Sequence, residues 1–89
     1  MFYEWDEAKN EANKAKHGVS FAMCEEFNWL SAVIIPDDRN DYGEERLIAL
    51  GYIGRRIHVL IYTQRMQTRR IISLRKANKR EERFYAKEA

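Results

Sequence analysis

The sequence predicts a single α+β domain over residues 1–89, built from two N-terminal helices, a four-stranded antiparallel sheet and a C-terminal helix. Capped, helix-favouring segments fill the first third of the chain. Strand-length apolar runs separated by short turns fill the middle, and a highly charged helical segment closes it. Helices grouped before and after a block of strands indicate helices packed on one face of an antiparallel sheet.

Two short helices are predicted at the N-terminal end. Asp6 has the side chain of an N-cap and is followed by a helix-favouring run through Lys16. The pair His17-Gly18 ends this helix, because glycine adopts the left-handed conformation after a helix and a histidine in the last turn suits the helix dipole. Ser20 is the predicted N-cap of a second helix that runs to about Asn28.

Four strands follow, joined by short turns that are rich in glycine and polar residues. The strands cover residues 32–35, 46–53, 56–63 and 68–75, and the turns cover residues 37–43, 54–55 and 64–67. Links of this length favour antiparallel hairpins. After the last strand, residues 76–87 are predicted to form a closing helix whose buried side carries Ala77, Phe84 and Tyr85.

Composition and cysteine usage limit the class of protein. No apolar run approaches the roughly 20 residues needed to span a bilayer, so no membrane association is expected. The first residues lack the basic and apolar regions of a signal peptide. Cys24 is the only cysteine, which fits a reducing compartment, and we expect a cytoplasmic protein. The two histidines and the cysteine show no metal-ligand spacing, so neither a metal nor a cofactor is expected.

Charge is divided unevenly between the two halves of the chain. Residues 1–45 hold 11 acidic and 4 basic side chains, whereas residues 46–89 hold 12 basic and 3 acidic ones. In the second half, 9 of the 12 basic residues are arginines, whose guanidinium groups match phosphate geometry in a bidentate manner. The basic half therefore indicates a polyanionic partner.

A series of short motifs runs along nearly the whole chain. The motifs are Phe2…Trp5-Asp6…Lys9…Asn13…Lys16-His17-Gly18-Val19-Ser20-Phe21, Gly43-Glu44-Glu45-Arg46, Ala49-Leu50-Gly51, Val59…Tyr62-Thr63…Arg65, Arg70-Ile71-Ile72-Ser73…Arg75-Lys76-Ala77 and Glu82-Arg83…Tyr85. In these motifs and in their order, the sequence resembles the BrnT-family toxins. The resemblance implies a RelE-like fold and a type II toxin that cleaves RNA as a metal-independent endoribonuclease and so inhibits translation and growth. It also implies a cognate BrnA-like antitoxin that neutralises the toxin, with promoter DNA as a partner only through the toxin–antitoxin complex.

The chemistry of RNA cleavage selects the candidate site residues. In cleavage without a metal the 2′-hydroxyl attacks the adjacent phosphate, and preorganised cations stabilise the charge that builds on the phosphoryl oxygens. Arginine does not deprotonate at neutral pH, so a carboxylate, histidine or tyrosine must move the protons. The predicted catalytic residues are Arg65, Arg70, Arg75, Arg83, Glu45 and His17, and the predicted substrate-binding residues are Arg46, Tyr62, Lys76, Lys79 and Arg80.

Structural roles compete with these functional ones. The basic residues of the last helix also suit a solvated helix face, although like charges on one face repel weakly. His17 suits a helix end, Tyr62 suits a half-buried strand position, and the pair Glu45-Arg46 suits an exposed strand end.

The face on which Arg70 lies is left open by the sequence. Strict strand alternation places Arg69 and Arg75 on one face of the sheet and Arg70 on the other. A β-bulge near the start of the strand would change this arrangement. Two functions without catalysis also fit the basic half: a nucleic-acid-binding module, and a scaffold that only docks an acidic partner protein.

Overall fold

The computed structural model describes residues 1–39, 41 and 43–89. Within this part of the chain, the elements in order are β1 (Phe2–Glu4), α1 (Glu7–His17), a 3₁₀ helix (Phe21–Glu26), β2 (Val33–Asp37), β3 (Arg46–Ile53), β4 (Arg56–Arg65), β5 (Thr68–Lys76) and α2 (Lys79–Glu88). The predicted turn over residues 37–43 includes Asn40 and Tyr42, which lie outside the described residues.

The described strands form one mixed sheet of five strands in the order β1-β5-β4-β3-β2. Strands β2 to β5 pair antiparallel, as the short turns predicted, whereas β1 pairs parallel to β5 with Phe2 opposite Thr68 and Glu4 opposite Arg70. The predicted four-stranded antiparallel sheet is therefore wrong. A three-residue strand carries too little alternation to be recognised, and no hairpin turn marks a parallel partner that lies 66 positions further along the chain.

The N-terminal end holds one α-helix rather than the two that were predicted. Asp6 caps α1 by accepting hydrogen bonds from the backbone N–H groups of the next turn, and Gly18 ends the helix with a φ of 73°. The second predicted helix is a six-residue 3₁₀ helix, capped by Ser20. Its buried residues Phe21 and Cys24 are three apart, which is the spacing that 3₁₀ geometry places on one side.

Helices cover both faces of the sheet, which corrects the prediction that they share one face. We call these the α1 face and the α2 face after the helix on each. On the α1 face, the α1 helix and the 3₁₀ helix cover the larger core, which consists of Val19, Phe21, Cys24, Phe27, Ala49, Ile53, Leu60, Tyr62, Ile71 and Leu74. On the α2 face, the smaller core consists of Leu50, Ile57, Val59, Ala77 and Tyr85.

Helix α2 covers only half of its face. Its first turn carries a capping box between Asn78 and Glu81, so the helix begins at Lys79, and Lys76 belongs to β5 instead. At its other end, the Tyr85 hydroxyl donates to the backbone carbonyl of Ser31 at 2.8 Å. The helix therefore crosses the sheet at one end, and none of the described helices covers the other end of the α2 face, which we call its uncovered half.

Candidate functional site

A β-bulge in β5 decides which arginines face the uncovered half of the sheet. Ile61 pairs with Ser73, but Tyr62 pairs with Ile71, so Ile72 is an extra residue on β5. The bulge restarts the alternation, because Ile71 and Leu74 both point into the core of the α1 face. Arg70, Ser73 and Arg75 consequently share the α2 face, while Arg69 lies on the α1 face. The open question from the sequence is thus settled by one inserted residue.

A row of polar side chains crosses the uncovered part of the α2 face from edge to edge. Arg70 on β5 pairs with Glu4 on one side and with Thr63 on the other. Arg46 lies one residue beyond the Leu47–Tyr62 pair, beside Thr63, and it pairs with Asp37 on β2. We call Asp37, Arg46, Thr63, Arg70 and Glu4 the polar row. A sheet face with so many charged groups is unsuited to packing against apolar residues and suits an ionic ligand.

Arg65 lies on the same face, two residues beyond Thr63, and is held by carboxylates on two sides. Its Nη2 donates to both carboxylate oxygens of Glu44 at 3.1 and 3.2 Å, and its Nη1 lies 3.9 Å from Glu4. Arg70 shares this carboxylate, with Nη1 at 3.7 Å from Glu4 Oε2. Ion pairs this open to water contribute little stability, so both guanidinium groups can exchange a carboxylate for a phosphate at small cost.

Arg75 is bound more firmly than the other two arginines. It donates two hydrogen bonds to Glu81 at 2.8 and 2.7 Å, and Glu81 also accepts from the backbone N–H of Asn78. These hydrogen bonds raise the pKa of Arg75 and lower the pKa of Glu81. Arg75 therefore links β5 to the first turn of α2 and also places a cation at the border of the uncovered surface.

The β2 edge of the polar row ends in a buried carboxylate. Asp37 accepts hydrogen bonds from the Arg39 guanidinium at 2.7 and 2.9 Å, and its side chain is fully shielded from solvent. Hydrogen bonding from Arg39 lowers the pKa of Asp37. With Arg46 opposite, Asp37 is ionised and paired, which fixes the end of β2 and anchors the following segment.

His17 lies at the end of α1, beside β5. The amide of Asn13 bonds both the backbone N–H and the backbone carbonyl of Leu74, which attaches α1 to the part of β5 that β1 does not reach. Burial lowers the pKa of His17, and the positive charges of Lys16 and Arg75 lower it further. The imidazole is therefore mostly neutral at pH 7 and can accept a proton close to Arg75.

Tyr62 lies in the core of the α1 face, on the opposite side of the sheet from the polar row. It is 2% exposed, its ring meets the Trp29 ring edge-on at 5.2 Å, and burial raises its pKa. The Arg69 guanidinium stacks over Trp29, with Cζ 3.6 Å from the ring centroid. Both residues therefore stabilise the core, and the structural role that the sequence left open for Tyr62 is the one observed.

The remaining predicted site residues surround the open surface without joining the polar row. Glu45 is exposed immediately before β3. By alternation Lys76, opposite His58, lies on the α1 face. Lys79 and Arg83 are exposed on α2, and Arg80 borders a cleft of about 250 Å³ between α2 and the sheet. This cleft is otherwise lined by Ile35, Ile48, Leu50, Glu81 and Phe84. Lys76 is therefore not one of the basic residues of the last helix, where the sequence had placed it.

Sequence reasoning missed five residues that the structure brings to this surface, which are Glu4, Asp37, Arg39, Glu44 and Thr63. Glu4 required β1 to be recognised as a strand. Arg39 lies within the predicted turn and Glu44 directly follows it, and neither has a periodic pattern to mark it. Thr63 looks like any strand residue, and only its register opposite Arg70 reveals its place.

The described residues also bear on metal binding and on membrane insertion. No group of three or more His, Cys, Asp and Glu side chains there is arranged to hold a metal ion. None of the helices found there has the length and apolar character required to cross a membrane.

Comparison with protein families decides the identity. Residues 5–81 match the family of the ribonuclease toxin BrnT of type II toxin–antitoxin systems. The chain belongs to this family. It is therefore a ribonuclease toxin, with RNA as its substrate and an antitoxin protein as its partner. The matched BrnT region includes β2 to β5, the polar row except Glu4, and the first turn of α2. No curated protein matches the chain.

Proposed function

We propose that this BrnT toxin cleaves single-stranded RNA on the uncovered half of its α2 face, without a metal ion. The observation that carries the proposal is the bulge at Ile72, which places Arg70 on the same face as Arg65 and Arg75. Arg65 and Arg70 both contact Glu4, so they can approach one phosphodiester together, and Arg75 lies further along β5, where it can contact the adjoining backbone. A single strand is the better substrate, because it is flexible enough to align the attacking and leaving oxygens.

The proposed reaction is an internal transesterification. The 2′-oxygen forms a bond to phosphorus as the bond between phosphorus and the 5′-oxygen breaks. The proton of the 2′-hydroxyl goes to a base on the protein, and the leaving 5′-oxygen takes up a proton. The products are a 2′,3′-cyclic phosphate and a 5′-hydroxyl end, and nothing is oxidised or reduced.

The three arginines have different proposed roles, because their carboxylate partners bind them with different firmness. Arg65 and Arg70 have loosely paired guanidinium groups, which can turn to the phosphoryl oxygens and stabilise the charge that develops there. Arg75 keeps a fixed position through Glu81, and its charge is one of the causes that lower the pKa of His17. Exposed Glu45, next to Arg46 of the polar row, is the proposed acceptor of the 2′-hydroxyl proton, with His17 as the alternative.

Basic residues around the uncovered surface are proposed to hold the flanking RNA backbone. These are Arg46 in the polar row, Arg80 at the cleft, and Lys79 and Arg83 on α2. Lys76 is proposed to contact RNA only where the strand passes the end of β5. Such contacts add affinity that falls with salt concentration, because each neutralised phosphate releases counterions.

The biological setting is proposed from the family and from the charge of this surface. A BrnA-like antitoxin would neutralise the toxin by covering the arginines, and promoter DNA would be bound only by the complex. Cleavage of cellular RNA would inhibit translation and growth, and we place the protein in the cytoplasm, where its substrate is found.

The test is to incubate the purified toxin with end-labelled single-stranded RNA in EDTA and to identify the ends of the products. We expect 2′,3′-cyclic phosphate and 5′-hydroxyl ends from the wild type and from Arg55→Ala. Arg55 is a suitable control because it is an exposed arginine in the turn between β3 and β4. Tight RNA binding without cleavage would contradict the proposal and favour a non-catalytic binding module.

A further inference from the structure

We propose that Thr63 is a substrate-contacting residue whose hydroxyl, together with Arg70 and Arg46, forms a subsite for an RNA phosphodiester in the middle of the polar row. The inference rests on the proposed ribonuclease function of this surface. It adds the hydroxyl of Thr63, which sequence reasoning did not single out, to the arginines proposed to bind phosphate.

The first observation is an unsatisfied hydroxyl. Thr63 is 1% exposed, and its Oγ1 is buried with no hydrogen-bond partner among the described residues. Buried polar side chains nearly always have a partner, and one that lacks it costs folding free energy. Valine has nearly the same shape and suits a strand equally well. The hydroxyl at this position therefore does not serve packing.

The second observation is the position of Thr63 between two cations. Arg70 pairs with it on β5, and Arg46 lies beside it on β3. Directly opposed residues on one face of a sheet have Cβ atoms about 5 Å apart. The hydroxyl thus lies in the row midway between two guanidinium side chains, on the α2 face but shielded from water, so a ligand reaches it only when a neighbouring side chain moves.

Hydrogen-bonding chemistry then indicates the missing partner. A guanidinium group has only donors, so neither arginine can accept the proton of the Thr63 hydroxyl. The carboxylates at the ends of the row are engaged elsewhere, Asp37 with Arg39 and Glu4 with Arg65 and Arg70. A ligand that brings acceptor oxygens between two cations would satisfy the hydroxyl. The non-bridging oxygens of a phosphodiester have this chemistry.

The proposed contact fixes the orientation of the phosphate. The two arginines supply charge from either side, whereas the threonine hydroxyl is short and has few rotamers because its side chain is β-branched. It therefore selects one position for a phosphoryl oxygen. Loss of the hydroxyl should affect both the binding of RNA and the rate of cleavage, because the oxygen that it binds gains charge in the transition state.

The experiment compares Thr63→Val and Thr63→Ser with the wild type in three measurements: thermal unfolding, cleavage of single-stranded RNA, and anisotropy binding of a fully 2′-O-methylated RNA that cannot be cleaved. Thr63→Val should unfold at the same temperature as the wild type or higher. Its kcat/KM should fall at least tenfold and its binding should weaken. Thr63→Ser keeps the hydroxyl and should retain most of the activity. Thr68→Val makes the same chemical change on β5 and should alter activity less than twofold.

Each other outcome overturns the inference. A Thr63→Val protein with wild-type cleavage and binding would show that the hydroxyl contacts no substrate. A Thr63→Val protein that unfolds at a lower temperature would show that the hydroxyl already has a partner in the fold. The ribonuclease proposal fails separately, if the wild type does not cleave RNA in EDTA. The binding comparison still tests the subsite in that case.

Discussion

At the scale of single residues, the arginines of this toxin differ in how tightly neighbouring carboxylates bind them. Arg70 and Arg65 have elongated ion pairs with the exposed carboxylate of Glu4, whereas Arg75 has a short two-fold contact with the more buried Glu81. Removal of Arg75 should therefore reduce stability as well as activity, by about 2 kcal/mol for a hydrogen-bonded charged pair that is mostly shielded from water. Removal of Arg70 should reduce activity with little effect on stability.

The Arg75–Glu81 contact also predicts a dependence of stability on pH. Arg75 lowers the pKa of Glu81 in the folded protein, so the folded state holds this proton more weakly than the unfolded state does. The stabilisation is complete above the ordinary glutamate pKa of about 4.3 and is lost as the pH falls through the lowered value. Glu81→Gln should therefore melt at a lower temperature than the wild type at pH 7. Its melting temperature should also depend less on pH between pH 7 and pH 3.

Melting curves of the wild type, Glu81→Gln and Glu88→Gln over this pH range check the prediction. Glu88 is an exposed glutamate at the end of the same helix, so its variant should follow the wild type. Asp37, whose pKa Arg39 lowers, should preserve part of the acid sensitivity in every variant. Parallel curves for Glu81→Gln and the wild type would show that the ion pair contributes nothing to the dependence.

At the scale of the elements, the parts that the sequence predicted correctly are those with local signals. The Gly54-Arg55 turn predicted the β3–β4 hairpin, and the caps at Asp6 and Ser20 marked where helical segments begin. Strand β1 and the bulge at Ile72 were not predicted, because each depends on a pairing partner that is distant in the sequence. The site was therefore predicted as a set of arginines, but its arrangement was not.

Strand β1 has a functional consequence, because it brings Glu4 to Arg65 and Arg70. Glu4 competes with phosphate for both guanidinium groups, so Glu4→Gln should tighten binding of uncleavable RNA. An exposed ion pair contributes up to about 1 kcal/mol, which corresponds to at most about fivefold in Kd. Anisotropy titrations at low salt measure the effect.

Glu11→Gln is the matched control for Glu4→Gln. It removes the same charge from the surface of α1, where Glu11 pairs with Lys14. A general change in net charge would tighten binding equally in both variants. Equal effects, or weaker binding by Glu4→Gln, would therefore refute competition between Glu4 and phosphate.

At the scale of the whole molecule, the uneven charge of the chain becomes a spatial pattern. The acidic first half supplies Glu4 and Glu44, and the basic second half supplies Arg65 and Arg70, which pair with these carboxylates. Charge counts predicted a polyanionic partner, and the family assignment identifies RNA as that partner. Charge counts could not show that the acidic half would contact the basic surface, because this contact depends on how the chain folds.

The central claim is that the bulge in β5 turns Arg70, and not Arg69, towards the RNA. The most direct measurement compares kcat for Arg70→Ala and Arg69→Ala, with each value corrected for the folded fraction of the protein. We expect Arg70→Ala to lose at least about a hundredfold, as for removal of a preorganised group that stabilises transition-state charge. Arg69→Ala should keep kcat within about threefold of the wild type while melting at a lower temperature, because it loses core contacts with Trp29 and Tyr62. Loss of kcat in Arg69→Ala with wild-type cleavage by Arg70→Ala would contradict the account.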